Sequence, residues 1–414
     1  MLLGDIANPG AAGAGKPLDG VRILALEQMQ ALPYATQLLA RLGADVVKVE
    51  HPKGGDLGRG SLPAMTDPDG RSVGATFLRN NLNKRSICID LKSPRGRELV
   101  LELAPRFDVV AENSKAGAMA RLGLGFDDIA AVHPGVVYLS VSGFGNTIAS
   151  PYDSWPAFAP IVEAMSGIYE FKRQGDAPPL VAPVGALGDI GSGLYAVIGV
   201  LAALRHRDAT GRGQHVDIAM LDAMVAMTDI VTNFWSLGLR GGQLAPLIMH
   251  GFKADDGWVI IQVGREPQFA ALAEIVGQPG WVGDPRFAER QGWVDHLEDV
   301  IRPAIEAWAS TKTRLEACEA LSAVGIAAGP CFTDDEVVAD PHVAARNMLV
   351  EMPRTDGVDQ PVLVPGNPVK LTGVSEGPET RVPWLGEHTD EVLTAELGLS
   401  EADLRALREG GVIG

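Results

Sequence analysis

The stretch "VRILALEQMQALPYATQLLARLGADVVKVE" occupies residues 21–50 and decides the fold class. "VRILAL" (21–26) is a β-rich apolar run. "PYATQLLARLG" (33–43) has helical spacing, with Pro33 suited to a first turn and Gly43 to a C-terminal cap. "ADVVKVE" (44–50) reads as a second strand. The alternation continues outward. "RSICIDL" (85–91) is a strand and "SPRGRELVLELAPR" (93–106) a helix. "FDVVAEN" (107–113) and "GVVYLSVSG" (135–143) are strands. A helix opened by Asp189 follows, then a strand at "GQHVDIAM" (213–220) and a helix at "LDAMVAMTDIVTNFWSLG" (221–238). Strands alternating with helices predict an α/β fold with a parallel sheet and helices on both faces.

The pattern changes after about Gly241. "GFKADDGWVIIQVG" (251–264) reads as a hairpin turning at Asp255 to Gly257, and helical segments follow, which predicts a smaller α+β unit. Residues 1–18, rich in Gly, Ala and Pro, read as a flexible tail. A final helix is expected at "SEADLRALREGG" (400–411).

The chain has 414 residues, 46% apolar and 21% charged, enough for about two domains with a sizeable core. Its net charge of −17 excludes a general affinity for nucleic acid or anionic lipid. An anionic ligand must be held by a few local cations and backbone N–H groups. The cysteines, Cys88, Cys318 and Cys331, are far apart, which argues against a disulfide framework and fits a reducing cytoplasm. The start carries Asp5 and no apolar core, unlike a signal peptide. The longest apolar run, Gly193 to Leu204, reads as too short to span a bilayer.

Several chemistries drop out. Gly10 to Lys16 match part of a phosphate loop, but Pro17 stands where Ser or Thr must follow and no strand precedes it. The eight histidines show no metal-ligand spacing, so no metal is expected. The first strand–helix turn carries Glu27 to Leu32 where a dinucleotide fold needs glycines, so no NAD is expected. Glu50 ends the second strand where a ribose-binding acid would sit; its plainer reading is a solvated strand end. No GxSxG elbow is present. Anion binding remains. Asn83, Lys84 and Arg85 lie beside a strand, and Asn113, Lys115 and Arg121 follow another; their other reading is a solvated basic face.

"VGALGDIGSGLYAVIGVLAAL" (184–204) holds one carboxylate, Asp189, among glycines that permit tight turns and close approach of a ligand. An N-cap is the commonest role for Asp at such a boundary. A carboxylate there is also kept ionised by the helix dipole, and is a competent nucleophile toward an activated acyl group.

Together these residues resemble the family III CoA-transferases, the group that includes formyl-CoA:oxalate and carnitine CoA-transferases and the α-methylacyl-CoA racemases. The blocks that carry the resemblance are "ATQLLARLGADVVKVEHPKGGD", "NKRSICIDLKSPRGRELVLEL", "ENSKAGAMARLG", "YLSVSGFG", "GDIGSGLYAVIGVLAALRHRDATGRGQHVDIAMLDA", "DPRFAER" and "GIAAGP", in order across nearly the whole chain. The resemblance implies a large Rossmann-like CoA-binding domain from residues 19–241 and 330–414. It also implies a small α+β domain from 242–329, and an interlocked homodimer. It implies acyl-CoA and a carboxylic acid as substrates, with Asp189 as nucleophile and succinyl-CoA as the default donor. Gly185, Gly188 and the helix start would supply oxyanion donors. Met29, Gln30 and Ala31 would hold the pantetheine end, with Gln30 near the thioester. His51 would meet the nucleotide, Asn83, Lys84 and Arg85 the phosphates, and Asn113 and Arg121 the rest of the cofactor. Ser114 stands where phenylalanine is frequent.

Where relatives read Tyr or His and then Asp before "PIAQAMSG", this chain has Phe158 and Ala159. Phe carries no proton, which disfavours a two-base racemase or epimerase, the alternative on the same fold. A CoA-binding protein without turnover is the alternative of a different class. The acceptor pocket is expected near Trp155, Phe158 and the 236–246 loop. That loop lacks a long glycine run and the two side chains are aromatic, which points away from oxalate and toward a larger or less polar acid.

Overall fold

The structure, a computed structural model, describes residues 1–173, 175–181, 185–238 and 246–414. The chain divides into two compact units, Met1–Gly241 with His342–Gly414, and Gly242–Pro341.

In the larger unit the expected alternation forms β1 (Arg22–Leu26), α1 (Ala31–Arg41), β2 (Asp45–Glu50), β3 (Lys84–Cys88), α2 (Pro94–Leu103), β4 (Val109–Glu112) and β5 (Val137–Ser142). After these come α3 (Ala159–Met165), α4 (Leu187–Thr210) and β6 (Gln214–Ala219). The six strands are all parallel, in the order β3-β2-β1-β4-β5-β6. The direction of winding reverses between β1 and β4, and the carboxyl ends of strands at such a switch diverge into a crevice where ligands bind. Side-chain alternation along β1 explains why both faces are apolar. Ile23 and Ala25 pack with α1 and α4 on one face, while Leu24 and Leu26 pack with α2 and the C-terminal helices on the other.

α4 lies directly on α1. A Cβ at Gly193 would stand 2.9 Å from the Ala31 carbonyl oxygen and 2.8 Å from Tyr34 Cδ1, so only glycine allows the two backbones this close. Gly188 meets Val162 and Ala159 of α3 in the same way, and Gly191 meets Met227. These glycines make room for neighbouring helices, which corrects the expectation that they admit a ligand.

α4 also corrects the expectation about length. It is the one described helix long and apolar enough to cross a bilayer. In this fold it is the crossover between β5 and β6, with Ser192, Ala196, Val200 and Ala203 buried against the sheet.

Residues 1–18, expected as a flexible tail, are held by the C-terminal part of the same unit. Leu2 bridges Glu351, Gly4 N–H donates to Glu379 O, and the Asn8 side-chain oxygen accepts from Glu376 N–H. The smaller unit has an antiparallel sheet, β7 (Ile248–Ala254), β8 (Gly257–Val263) and β9 (Ala327–Pro330), in the order β9-β8-β7. It runs on to Pro341, past the expected junction at 329–330, because Arg314 pairs with Glu336.

Gly193→Ala forces the crossing apart. We expect a loss of roughly 1–3 kcal/mol from overpacking, read as a lower denaturation midpoint in urea.

Candidate active site

β1 ends at Leu26, and the turn that follows is unusual. Met29 adopts φ 63°, left-handed backbone that costs a non-glycine residue about 1–2 kcal/mol. Its N–H donates to Asp56 Oδ1 at 2.8 Å. The turn presents Gln28, Met29, Gln30 and Ala31 to a cavity of about 240 Å³, which also meets Asn113, Lys115, Trp155, Phe158 and Asp189. The cavity therefore opens at the switch between β1 and β4. Gln30 precedes α1, and its side chain has no hydrogen-bond partner among the described residues.

Asp189 reaches this cavity from the first turn of α4, not from its N-cap, which is Ala186. The local capping reading is thereby corrected. The carboxylate that serves the helix start is Glu163, which is buried and accepts from Gly188 N–H at 3.0 Å and from the Tyr169 hydroxyl. Gly188 N–H is therefore not free for an oxyanion, and Gly185, exposed and open, does not line the cavity. Asp189 itself accepts no hydrogen bond from the described residues. Burial, and then the like charge of Glu163, push its pKa up to about 6. This reverses the expected effect of the helix dipole.

The other expected residues fall in different places. Asn113 lines the cavity, but its amide clamps Gln28, accepting from its N–H at 3.0 Å and donating to its carbonyl at 2.9 Å. Trp155 and Phe158 form the aromatic wall, 49% and 62% exposed. His51 sits beyond β2, its Nδ1 accepting from Lys53 N–H, outside the cavity. Arg121 is exposed and also outside it.

Asn83, Lys84 and Arg85 are corrected by strand direction. Their backbone lies at the amino end of β3, the edge away from the crevice, and only the Lys84 side chain reaches back under the turn after β1. Asn83 accepts from Thr380 N–H, and Arg85 pairs with Asp45 and Glu391. Lys84 is buried, and its ammonium donates to Glu27 Oε1 at 2.7 Å, Pro33 O at 2.9 Å and Asn81 Oδ1 at 3.0 Å. Burial pushes its pKa down to about 8 against the pull of Glu27. Glu50 is neither a ribose ligand nor a solvated end. It is buried and held by Arg59 at 2.6–2.7 Å, by Ser86 and by Asp56 N–H.

Sequence reasoning missed Lys48, Asp56 and Glu163. A lysine inside the apolar run "ADVVKVE" signals a buried partner.

The comparisons with known proteins follow this geometry. Residues 18–389 match CoA-transferase family III. A formyl-CoA:oxalate CoA-transferase of Streptomyces coelicolor is 36% identical over 96% of this chain and 99% of its own length. A succinyl-CoA:mesaconate CoA-transferase of Haloarcula hispanica is 35% identical over 91% and 95%. A solved CAIB/BAIF family protein from Brucella suis is 32% identical, with a TM-score of 0.80, over 92% of this chain and 100% of that one. The chain belongs to CoA-transferase family III. It is an enzyme of that family, and its substrates are of the acyl-CoA class.

Within this transferase the Glu163 charge and the Asp189 pKa are coupled, which gives a pH test. Asp189 loses its charge as pH falls through about 6. Glu163→Gln keeps an acceptor for Gly188 and removes the like charge, so the Asp189 pKa must fall. The acid limb of the activity profile should then move to lower pH, while burial keeps it above the ordinary carboxylate range. An unmoved limb sinks the assignment.

Proposed function

We propose that this family III enzyme moves CoA from an acyl-CoA donor to a free carboxylic acid by covalent catalysis at Asp189. The observation that carries the reading is the partly buried Asp189 carboxylate, unpaired among the described residues and lining the cavity at the sheet's switch point with Gln30. A carboxylate with a pKa of about 6 is largely ionised at neutral pH and is more basic than an exposed one, which favours attack on a thioester carbonyl.

The steps balance without a further reactant. Asp189 attacks the thioester carbonyl, the C–S bond breaks, and a mixed anhydride and CoA thiolate form. The thiolate attacks the aspartyl carbonyl, giving aspartyl-CoA thioester and the donor acid. The acceptor carboxylate attacks that thioester, releasing the thiolate and forming a second anhydride. The thiolate then takes the acceptor acyl group, and Asp189 is restored. Gln30, whose amide has no partner among the described residues, is placed in this reading near the thioester. The cavity volume suits the reacting end of an acyl-CoA, and in this reading Met29 and Ala31, on the same cavity wall, hold the adjoining pantetheine.

For substrates we take succinyl-CoA as donor, the donor in the Haloarcula relative's name. The aromatic wall of Trp155 and Phe158 supports an acceptor larger or less polar than oxalate, although the Streptomyces relative is named for oxalate. The 236–246 loop expected beside this pocket lies largely outside the described residues. A cytoplasmic site of action agrees with three free cysteines.

Incubation with succinyl-CoA should leave a hydroxylamine-sensitive adduct on Asp189, read by mass spectrometry. Asp189→Ala should lower CoA transfer by roughly 10³-fold or more. A variant that keeps its turnover ends the proposal.

The homodimer belongs to the same reading. Leu194, Ile198 and Leu201 leave an apolar stripe along α4, with Ile198 61% exposed, and Val231 and Trp235 in the following helical turns are also exposed. A second copy of the chain covers this stripe in our proposal. Ile198→Glu should then shift the protein from dimer to monomer or aggregate in light scattering, and an unchanged dimer argues against that interface.

A further inference from the structure

Four charged side chains lie buried behind the Met29 turn. Glu27, Lys48, Asp56 and Lys84 are all in the interior, and their formal charges cancel. Lys48 comes from the middle of β2, beside Ala25 of β1 in the register, where the small neighbour leaves it room. Its ammonium is 2.7 Å from Asp56 Oδ2 and 3.2 Å from the Glu27 carbonyl oxygen. The other Asp56 oxygen accepts from Met29 N–H at 2.8 Å and Gly58 N–H at 2.7 Å. The loop that delivers Asp56 is folded back by the buried Arg59–Glu50 pair, with Arg59 stacked 3.7 Å over Phe77.

Burying such a pair carries a desolvation penalty that packed apolar side chains avoid. Stability alone does not account for it. Toward the cavity the pair holds the Met29 amide, the Glu27 carbonyl and, through Gly58 N–H, the short helix that carries Leu57; of these residues Met29 is the strained one, one of three non-glycine residues with positive φ among those described. In β1, α1 and the turn between them, no other side chain accepts from that amide.

We infer that Asp56, fixed by Lys48, is a positioning residue that holds Met29 left-handed and so aims Gln30 and Ala31 into the CoA cavity. The inference rests on the reading of that cavity as the acyl-CoA site. Asp56 touches no substrate in it; it acts through the backbone of the turn.

Two double variants separate position from charge. Lys48→Met with Asp56→Asn removes both charges and keeps an oxygen to accept from Met29 and Gly58. Lys48→Met with Asp56→Leu removes both charges and the acceptor at similar size. The readout is the Kd of CoA itself, by titration calorimetry on the full-length protein, because CoA carries no acyl group for Asp189 to take. We expect the asparagine variant to bind within about threefold of the original and the leucine variant about tenfold or more weaker, at similar melting temperatures. Equal affinity in the two variants overturns the inference. If the original protein binds no CoA, the cavity reading falls, and this inference with it. Should the variants not fold, amide exchange on the unaltered protein decides: a slow Met29 amide supports the clamp, and exchange at the free-chain rate overturns it.

Discussion

The crossing of α4 over α1 at Gly193 is the contact on which the rest of the site depends. It brings the first turn of α4 to the same level as the turn after β1, so residues far apart in sequence face one cavity. A parallel sheet provides a crevice at its switch point whatever lines it. The depth to which a helix start reaches into that crevice depends on how closely the helices pack. Here the close approach of Gly193 to the Ala31 carbonyl and the Tyr34 ring, which leaves no room for a Cβ, sets that depth.

The opposite wall is built by charge. Dinucleotide folds use glycines after β1 so that backbone can approach a pyrophosphate. This chain places Glu27, Gln28, Met29 and Gln30 there and obtains a sharp turn by other means. Glu27 accepts from Thr36 of α1 and from Lys84, and Asp56 accepts from Met29. A glycine would accept the left-handed angle and leave the turn free to move. A clamped methionine accepts it in one position. For a transferase that must hold two substrates in register, fixed geometry is worth more than an easy turn.

Much of the fold was legible because it rests on local periodicity: the βαβ alternation, the end of α1 at Gly43, and the hairpin at Asp255 to Gly257 each follow from nearby residues, while α1 starts at Ala31, two residues before the expected Pro33. Of the candidate residues, the turn at 28–31, Asn113, Trp155, Phe158 and Asp189 share one cavity. Lys84 and Arg85 were misread because a basic pair beside a strand does not say which edge of the sheet it occupies; that depends on strand direction and on partners such as Glu27 and Asp45. The glycines after Asp189 were misread for a related reason. Glycine near a carboxylate looks the same in sequence whether the space it leaves is for a ligand or for a helix.

The division of labour at the start of α4 gives Asp189 its character. A helix start draws a carboxylate to its free N–H groups, and a carboxylate so bound is stabilised as an anion and made less basic. Glu163 answers that demand at Gly188, held in turn by Tyr169. Asp189 is left next door without a donor among the described residues, partly buried, and beside a like charge, so its pKa rises to about 6. One carboxylate caps and the other keeps its lone pairs. A single acid in both places would be held by the amide it capped and would not keep its lone pairs free. Two acids in adjacent environments avoid the conflict, and the roles follow from what each one touches rather than from residue type.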